Sequence, residues 1–278
     1  DSLPAVSRDS LAGVGRTAVL ERGRRDDGVD LTVRALSNTS GAVRVLAGAR
    51  VAVDAGGSVT LTGNRSIEVA GTITAPGGSI TLDQVAPGTV DTAEGDYYTG
   101  ASVVLAGSAK LDVSGTFLRT PDLPYADGEV LDGGRITLAA RRGYLAVQSG
   151  AQLRADGTRA TLMQRSLGGL TGTVIDSNGG HIALSAREGL YLDPLLSARA
   201  GGAAAAGGSL SVRLEQAGYA WLDPLSIDPA LTGPRTLTVR QSGASGADAF
   251  LPGVAPDASR FAGRGTFVLS SLAGSGII

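Results

Sequence analysis

Gly77-Gly78-Ser79-Ile80-Thr81-Leu82 is the stretch on which the reading of this chain turns. Its apolar residues alternate with hydroxyl residues, and two glycines precede it. That is the pattern of a short half-buried strand entered through a corner. The same pattern returns as Gly56-Gly57-Ser58-Val59-Thr60-Leu61, Gly133-Gly134-Arg135-Ile136-Thr137-Leu138, Gly179-Gly180-His181-Ile182-Ala183-Leu184 and Gly207-Gly208-Ser209-Leu210-Ser211-Val212. From Gly57 the second glycines follow at intervals of 21, 56, 46 and 28 residues. The shortest interval reads as one bare repeat, and the longer ones as one or two repeats with insertions.

A second alternating run follows at near-fixed offset. Leu61 to Ile67, Leu105 to Leu111 and Leu184 to Leu190 are six residues each, and Leu138 to Leu145 is seven. A third run follows at Thr72–Ala75, Gln152–Ala155 and Leu195–Ala198. Three short strands with glycine corners per repeat predict an all-β parallel β-helix, a solenoid with loop insertions. No such strand can bury its apolar face alone. Three of them close one coil, and the next coil stacks about 4.8 Å above it. Inward Val, Ile, Leu and Ala then form continuous columns, while Thr, Ser and Arg face solvent. At this repeat length the chain holds about ten to twelve coils, a rod roughly 50 Å long. An antiparallel sandwich is the competing architecture. It would need hairpin dipeptides at regular spacing, and Asp127-Gly128, Asp132-Gly133 and Asn178-Gly179 do not recur that way. No amphipathic helix is convincing. The best segment, Ala160–Leu167, is short and ends in Gly168-Gly169.

Composition agrees with this reading. Glycine supplies 42 of 278 residues and aromatics 4%, so the core has to be aliphatic and the turns frequent. Glycine is not at every third position, which excludes collagen, and apolar residues run throughout, which excludes disorder. No apolar run reaches the roughly 18 residues of a membrane helix. The formal charge of -2 gives no electrostatic footprint for nucleic acid. With no cysteine there is no disulfide, thiolate metal site or thiol nucleophile. A cysteine-free chain suits the cytoplasm, and equally suits export in the unfolded state. Asp1 is not a methionine and no leader precedes it, so the chain reads as an internal piece or a processed product.

Residues 1–28 read as an irregular lead-in or first coil, and 29–278 as a single solenoid that becomes irregular from about 216. Insertions are expected near 84–100, 115–132 and 156–177. Loops on a rigid scaffold are where binding concentrates. The candidate ligand-contact residues are therefore Asp91, Glu94, Asp96, Tyr97 and Tyr98 in the first insertion and Tyr125 in the second.

Residues 77–82, Leu111-Asp112-Val113-Ser114-Gly115 after Ser102-Val103-Val104-Leu105, and Asp132–Leu138 resemble filamentous-haemagglutinin-like exoproteins, the passengers of two-partner secretion in Gram-negative bacteria. The resemblance covers roughly 29–214, and more loosely the rest. It implies a right-handed β-helical filament, secreted or held at the cell surface. Such a filament is exported unfolded through an outer-membrane transporter and serves adhesion, aggregation or biofilm formation. A host glycan, matrix or a neighbouring filament would be its partner. The family's amino-terminal secretion domain has no counterpart here, so the match is to a shaft segment, and the transporter would be engaged through that other domain.

Few residues suggest chemistry, and no catalytic, cofactor or metal residue is assigned. His181 is the sole histidine and occupies the slot of Ser58, Ser79, Arg135 and Ser209, expected to face solvent. Glu68 and Asp112 read as the same outward position of the second strand in different coils, followed there by Ala146 and Tyr191. A coil between them would put the two carboxylates about 10 Å apart, the outer limit for a glycosidase pair. A β-helical polysaccharide lyase or hydrolase is thus the enzymatic alternative, and an autotransporter passenger a further one. Calcium nonapeptides, phosphate loops and dinucleotide fingerprints are not matched. The sequon Asn38-Thr39-Ser40 carries little weight.

Overall fold

In a computed structural model the described residues are 28–36, 41–85, 101–120, 123–187, 189–214, 236–240 and 264–268. All regular structure among them is β, with no helix. Three parallel sheets carry it. The first holds β1 (Leu31–Ala35), β4 (Ser58–Gly63), β7 (Ser79–Gln84), β12 (Arg135–Ala140), β17 (His181–Ala186) and β20 (Ser209–Leu214), in that order. The second runs β2 (Ala42–Val45), β5 (Ser66–Val69), β8 (Ser102–Leu105), β13 (Tyr144–Val147) and β18 (Gly189–Leu192). The third stacks β3 (Arg50–Ala52), β6 (Thr72–Thr74), β9 (Lys110–Asp112), β14 (Gln152–Arg154) and β19 (Leu195–Ser197). The chain visits first, second and third sheet in turn and then returns, five times over, an arrangement consistent with a β-solenoid.

Register follows the sequence repeat. Ile80 pairs with Val59 on one side and Ile136 on the other, and Ile136 with Ile182. Alternation then sends one residue of each two inward. Val59, Ile80, Ile136, Leu145 and Leu153 are sealed from solvent, and the core cluster contains only Val, Leu, Ile and Ala.

Three expectations change. Five complete turns and a sixth first-sheet strand are described, in place of ten to twelve coils. The 56- and 46-residue intervals each hold a single turn, because inserted segments absorb the remaining chain. The offset argument also fails at one point. Leu105 lies in the second sheet and Leu111 in the third, so their six-residue step is not equivalent to Leu61–Ile67, which joins the first sheet to the second. Finally, Gln84 belongs to β7 and is fully buried. Its Oε1 accepts the Arg142 N–H at 2.9 Å, and its Nε2 donates to the Val85 carbonyl at 2.6 Å. The first insertion therefore begins after this residue.

Two antiparallel hairpins interrupt the ladder: β10 (Phe117–Arg119) with β11 (Gly128–Val130), and β15 (Arg159–Ser166) with β16 (Gly169–Asp176). Ala160–Leu167, the best helical segment on sequence grounds, falls mostly in β15. At the C-terminal side β22 (Arg264–Val268) pairs with β18, and β21 (Thr236–Arg240) lies outside β22. Their spatial order thus reverses their chain order.

The inward and outward columns predict opposite mutational responses. Ile136→Ala empties a sealed position between two neighbouring isoleucines and should cost about 2–5 kcal/mol. Thr137→Ala, one residue along and outward, should stay within about 0.5 kcal/mol. Equilibrium denaturation of the two variants checks this, and equal losses would contradict the inward–outward assignment.

Candidate functional site

Both hairpins leave the stack at the corner between the third and first sheets, in successive turns. The first spans the link from β9 to β12, and the second the link from β14 to β17. This stacking brings them side by side, and the Met163 N–H of β15 donates to the Ala126 carbonyl at 2.6 Å. Two of the three expected insertions therefore form one lateral projection.

The smaller hairpin is closed by its own backbone. Leu131 N donates to Thr116 O at 2.8 Å and Thr120 N to Asp127 O at 2.7 Å. Asp127 turns the chain, its carboxylate accepting the Gly128 N–H at 2.9 Å. Arg119 Nη2 donates to the Leu123 carbonyl at 2.8 Å. Tyr125 lies half-buried in this loop, its carbonyl accepting the Asp127 N–H at 3.1 Å. Of the candidate contact residues it is the one the described structure places. Asp91, Glu94, Asp96, Tyr97 and Tyr98 lie outside the described residues.

The larger hairpin is fixed at its base by carboxylates. Asp176 accepts Arg159 Nε at 2.6 Å and Nη2 at 3.2 Å, and also the Ala204 N–H at 3.1 Å. The Arg159 bonds, followed by the Ala204 N–H, hold its carboxyl below the usual range. Asp156, just before the hairpin, accepts the Ser197 hydroxyl, the Arg199 N–H at 2.8 Å and Arg154 Nη2 at 3.2 Å. Partial burial pushes its carboxyl up. The Arg199 N–H, Ser197 and Arg154 outweigh this and leave it lowered. One further ladder crosses the same corner. Asp132 accepts the Asn178 N–H at 2.8 Å, and Asn178 Oδ1 accepts the Ala206 N–H at 2.9 Å. Sequence reasoning placed these aspartates at insertion boundaries without a role. Arg154 and Arg159 are local partners, but Ser197, Arg199, Ala204 and Asn178 lie one turn away and could be found only once the register was known.

The remaining candidates for chemistry separate. His181 takes the expected slot, registered between Arg135 and Ser209, with Nδ1 2.6 Å from the Ser209 hydroxyl. Burial, then the Arg135 charge, lowers its pKa. Around it the corner glycines leave a groove lined by Arg135, His181 and Ser209. Glu68 and Asp112 are not equivalent, contrary to expectation. Glu68 registers with Val104 in the second sheet, and that column continues to Ala146 and Tyr191. Asp112 registers with Thr74 in the third sheet. Glu68 pairs with Arg44 Nε at 3.1 Å, and Asp112 accepts the Ser114 N–H at 2.9 Å. The column bearing Glu68 is also covered further along, since Ala146 and Tyr191 are buried. Among the described residues no three His, Asp or Glu side chains gather as a metal set, and no helix is long and apolar enough to cross a membrane.

The base carboxylates make the projection acid-sensitive. A free aspartate titrates near about pH 3.9, and both folded groups lie lower. Their contribution is complete above that value and is lost as pH falls through the folded pKa values. Lowering pH from about 7 to about 3 should therefore depress the melting temperature more in the parent chain than in an Asp156→Asn, Asp176→Asn variant. Identical pH slopes in thermal unfolding would contradict the assignment.

Comparison of the chain with protein-family models, with curated proteins and with solved structures finds no match.

Proposed function

We propose that the chain is a shaft segment of a large bacterial exoprotein, a right-handed β-helical filament of the filamentous-haemagglutinin-like kind. It serves adhesion, aggregation or biofilm formation at the surface of a Gram-negative cell and acts as a scaffold, not a catalyst. The observation that carries this reading is the stack itself: five turns of three parallel sheets in register around an aliphatic core. Among the described residues the strands of each turn pair with those of the adjacent turns, so stability is local and folding can propagate turn by turn. A chain of that kind can cross an outer-membrane transporter unfolded and fold as it emerges, each turn templating the next. Parallel crossovers are right-handed in nearly all known cases, which supports the hand. The paired hairpins on one corner, carrying Tyr125, are the surface from which a shaft of this kind would meet glycan, matrix or another filament.

The test is location and phenotype together. An epitope placed in the Leu167-Gly168 turn, which is fully exposed at Leu167, should be labelled on intact cells producing the full-length protein. Labelling should vanish when the outer-membrane transporter is deleted, and cell aggregation should fall when the segment is removed. An epitope that is reached only after lysis would overturn the proposal.

A further inference from the structure

The larger hairpin has one engaged edge and one open edge. Met163 of β15 directs its N–H away from β16, to the Ala126 carbonyl. Met163 faces Gly172 in register, so theirs is the pair type without mutual hydrogen bonds, and Gly172 also turns its N–H and C=O outward. By the alternation of antiparallel pairs, Leu170 and Val174 do the same. On that side residues 169–174 are all exposed. Folded proteins blunt such edges with charge, proline or a bulge. From Gly169 to Ile175 this edge has no charged residue and no proline.

The exposed segment is also self-complementary. Around Gly172 it reads Leu170-Thr171-Gly172-Thr173-Val174, the same from either end in chemical type. We propose that β16 pairs antiparallel with β16 of a second copy of this chain, about a two-fold axis through Gly172. The two hairpins then form one four-stranded sheet. Leu170 meets the partner's Val174 on one face, and Thr171 meets the partner's Thr173 on the other. Aliphatic and threonine pairs are both favourable cross-strand neighbours. The outward groups of residues 170, 172 and 174 fall opposite one another, giving about six backbone hydrogen bonds. No like charges are brought together along the pair. A partner strand of unrelated sequence would use the same backbone groups, but this double match of side chains is specific to a second copy. The interface is isologous and closes at two copies. It joins shafts laterally and does not depend on how the chain is exported.

Sedimentation equilibrium of the full 278-residue chain tests this. A concentration-dependent dimer is expected. Leu170→Lys with Val174→Lys puts like charges opposite across the axis and should raise the dimer dissociation constant about ten-fold or more. Leu170→Glu with Val174→Glu should do the same. Mixing the two variants should restore dimers, because each lysine then meets a glutamate. Both positions are exposed strand sites, and unchanged circular dichroism and melting confirm that the fold is intact. The proposal is overturned by a parent chain that stays monomeric up to about 1 mM. It is equally overturned by a dimer that survives both double substitutions, or by mixed variants that fail to recombine.

Discussion

The carbonyl oxygen of Gly78 lies where a side chain at position 134 would have to be. That same oxygen accepts the Arg135 N–H at 2.9 Å, the bond that opens the ladder from one turn to the next. The contact repeats through the stack: Gly57 beneath Gly78, Gly134 beneath Gly180, Gly180 beneath Gly208. At each, a Cβ would collide with the carbonyl that holds the following strand in register. In two of the turns the preceding glycine has positive φ, +80° at Gly56 and +63° at Gly77, and there supplies the bend as well. The paired glycines therefore do two jobs, turning the chain and letting successive turns approach to strand-pairing distance. Everything else in the fold assumes that approach: the aliphatic columns, the register and the carboxylate ladders of the corner.

This is why the sheets were legible in the sequence. Steric exclusion of a side chain leaves an unmistakable mark, and the strand that follows it alternates inward Ile or Leu with outward Thr or Ser. The count of turns was not legible. An inserted hairpin such as β15–β16 also alternates and also has glycines, so chain length alone cannot distinguish it from another turn. Equivalent positions were misassigned for a related reason. The step from Leu105 to Leu111 has the same length as the step from Leu61 to Ile67, although it rounds a different corner. Its Gly107-Ser108 turn resembles those elsewhere, and only pairing partners separate the two. Where the two hairpins leave the ladder was legible, since the 115–132 and 156–177 insertions were singled out. That the two insertions meet followed from their departure at one corner in successive turns, which requires the register.

Rigid stack and projecting hairpins divide the work between them. The stack is stabilised by burial repeated at every level, and it tolerates insertions because they leave from corners and not from strands. The larger hairpin is tied to the corner by Asp156 and Asp176, the smaller is closed by its own backbone, and neither contributes to the aliphatic core cluster. A stack built this way can change one insertion without disturbing the ladder.

The central claim is the pairing of residues far apart in sequence across successive turns, and cross-linking tests it most directly. Thr81 and Thr137 are 56 residues apart and are partners in adjacent first-sheet strands. Both point outward, at the separation of about 4.8 Å that a disulfide between neighbouring strands can span. The chain has no cysteine of its own, so Thr81→Cys with Thr137→Cys gives a single possible intramolecular bridge. The account predicts that this pair oxidises to a disulfide in the folded chain, and that Thr81→Cys with Ala183→Cys, two turns apart, does not. Bridging of the second pair in preference to the first would contradict it.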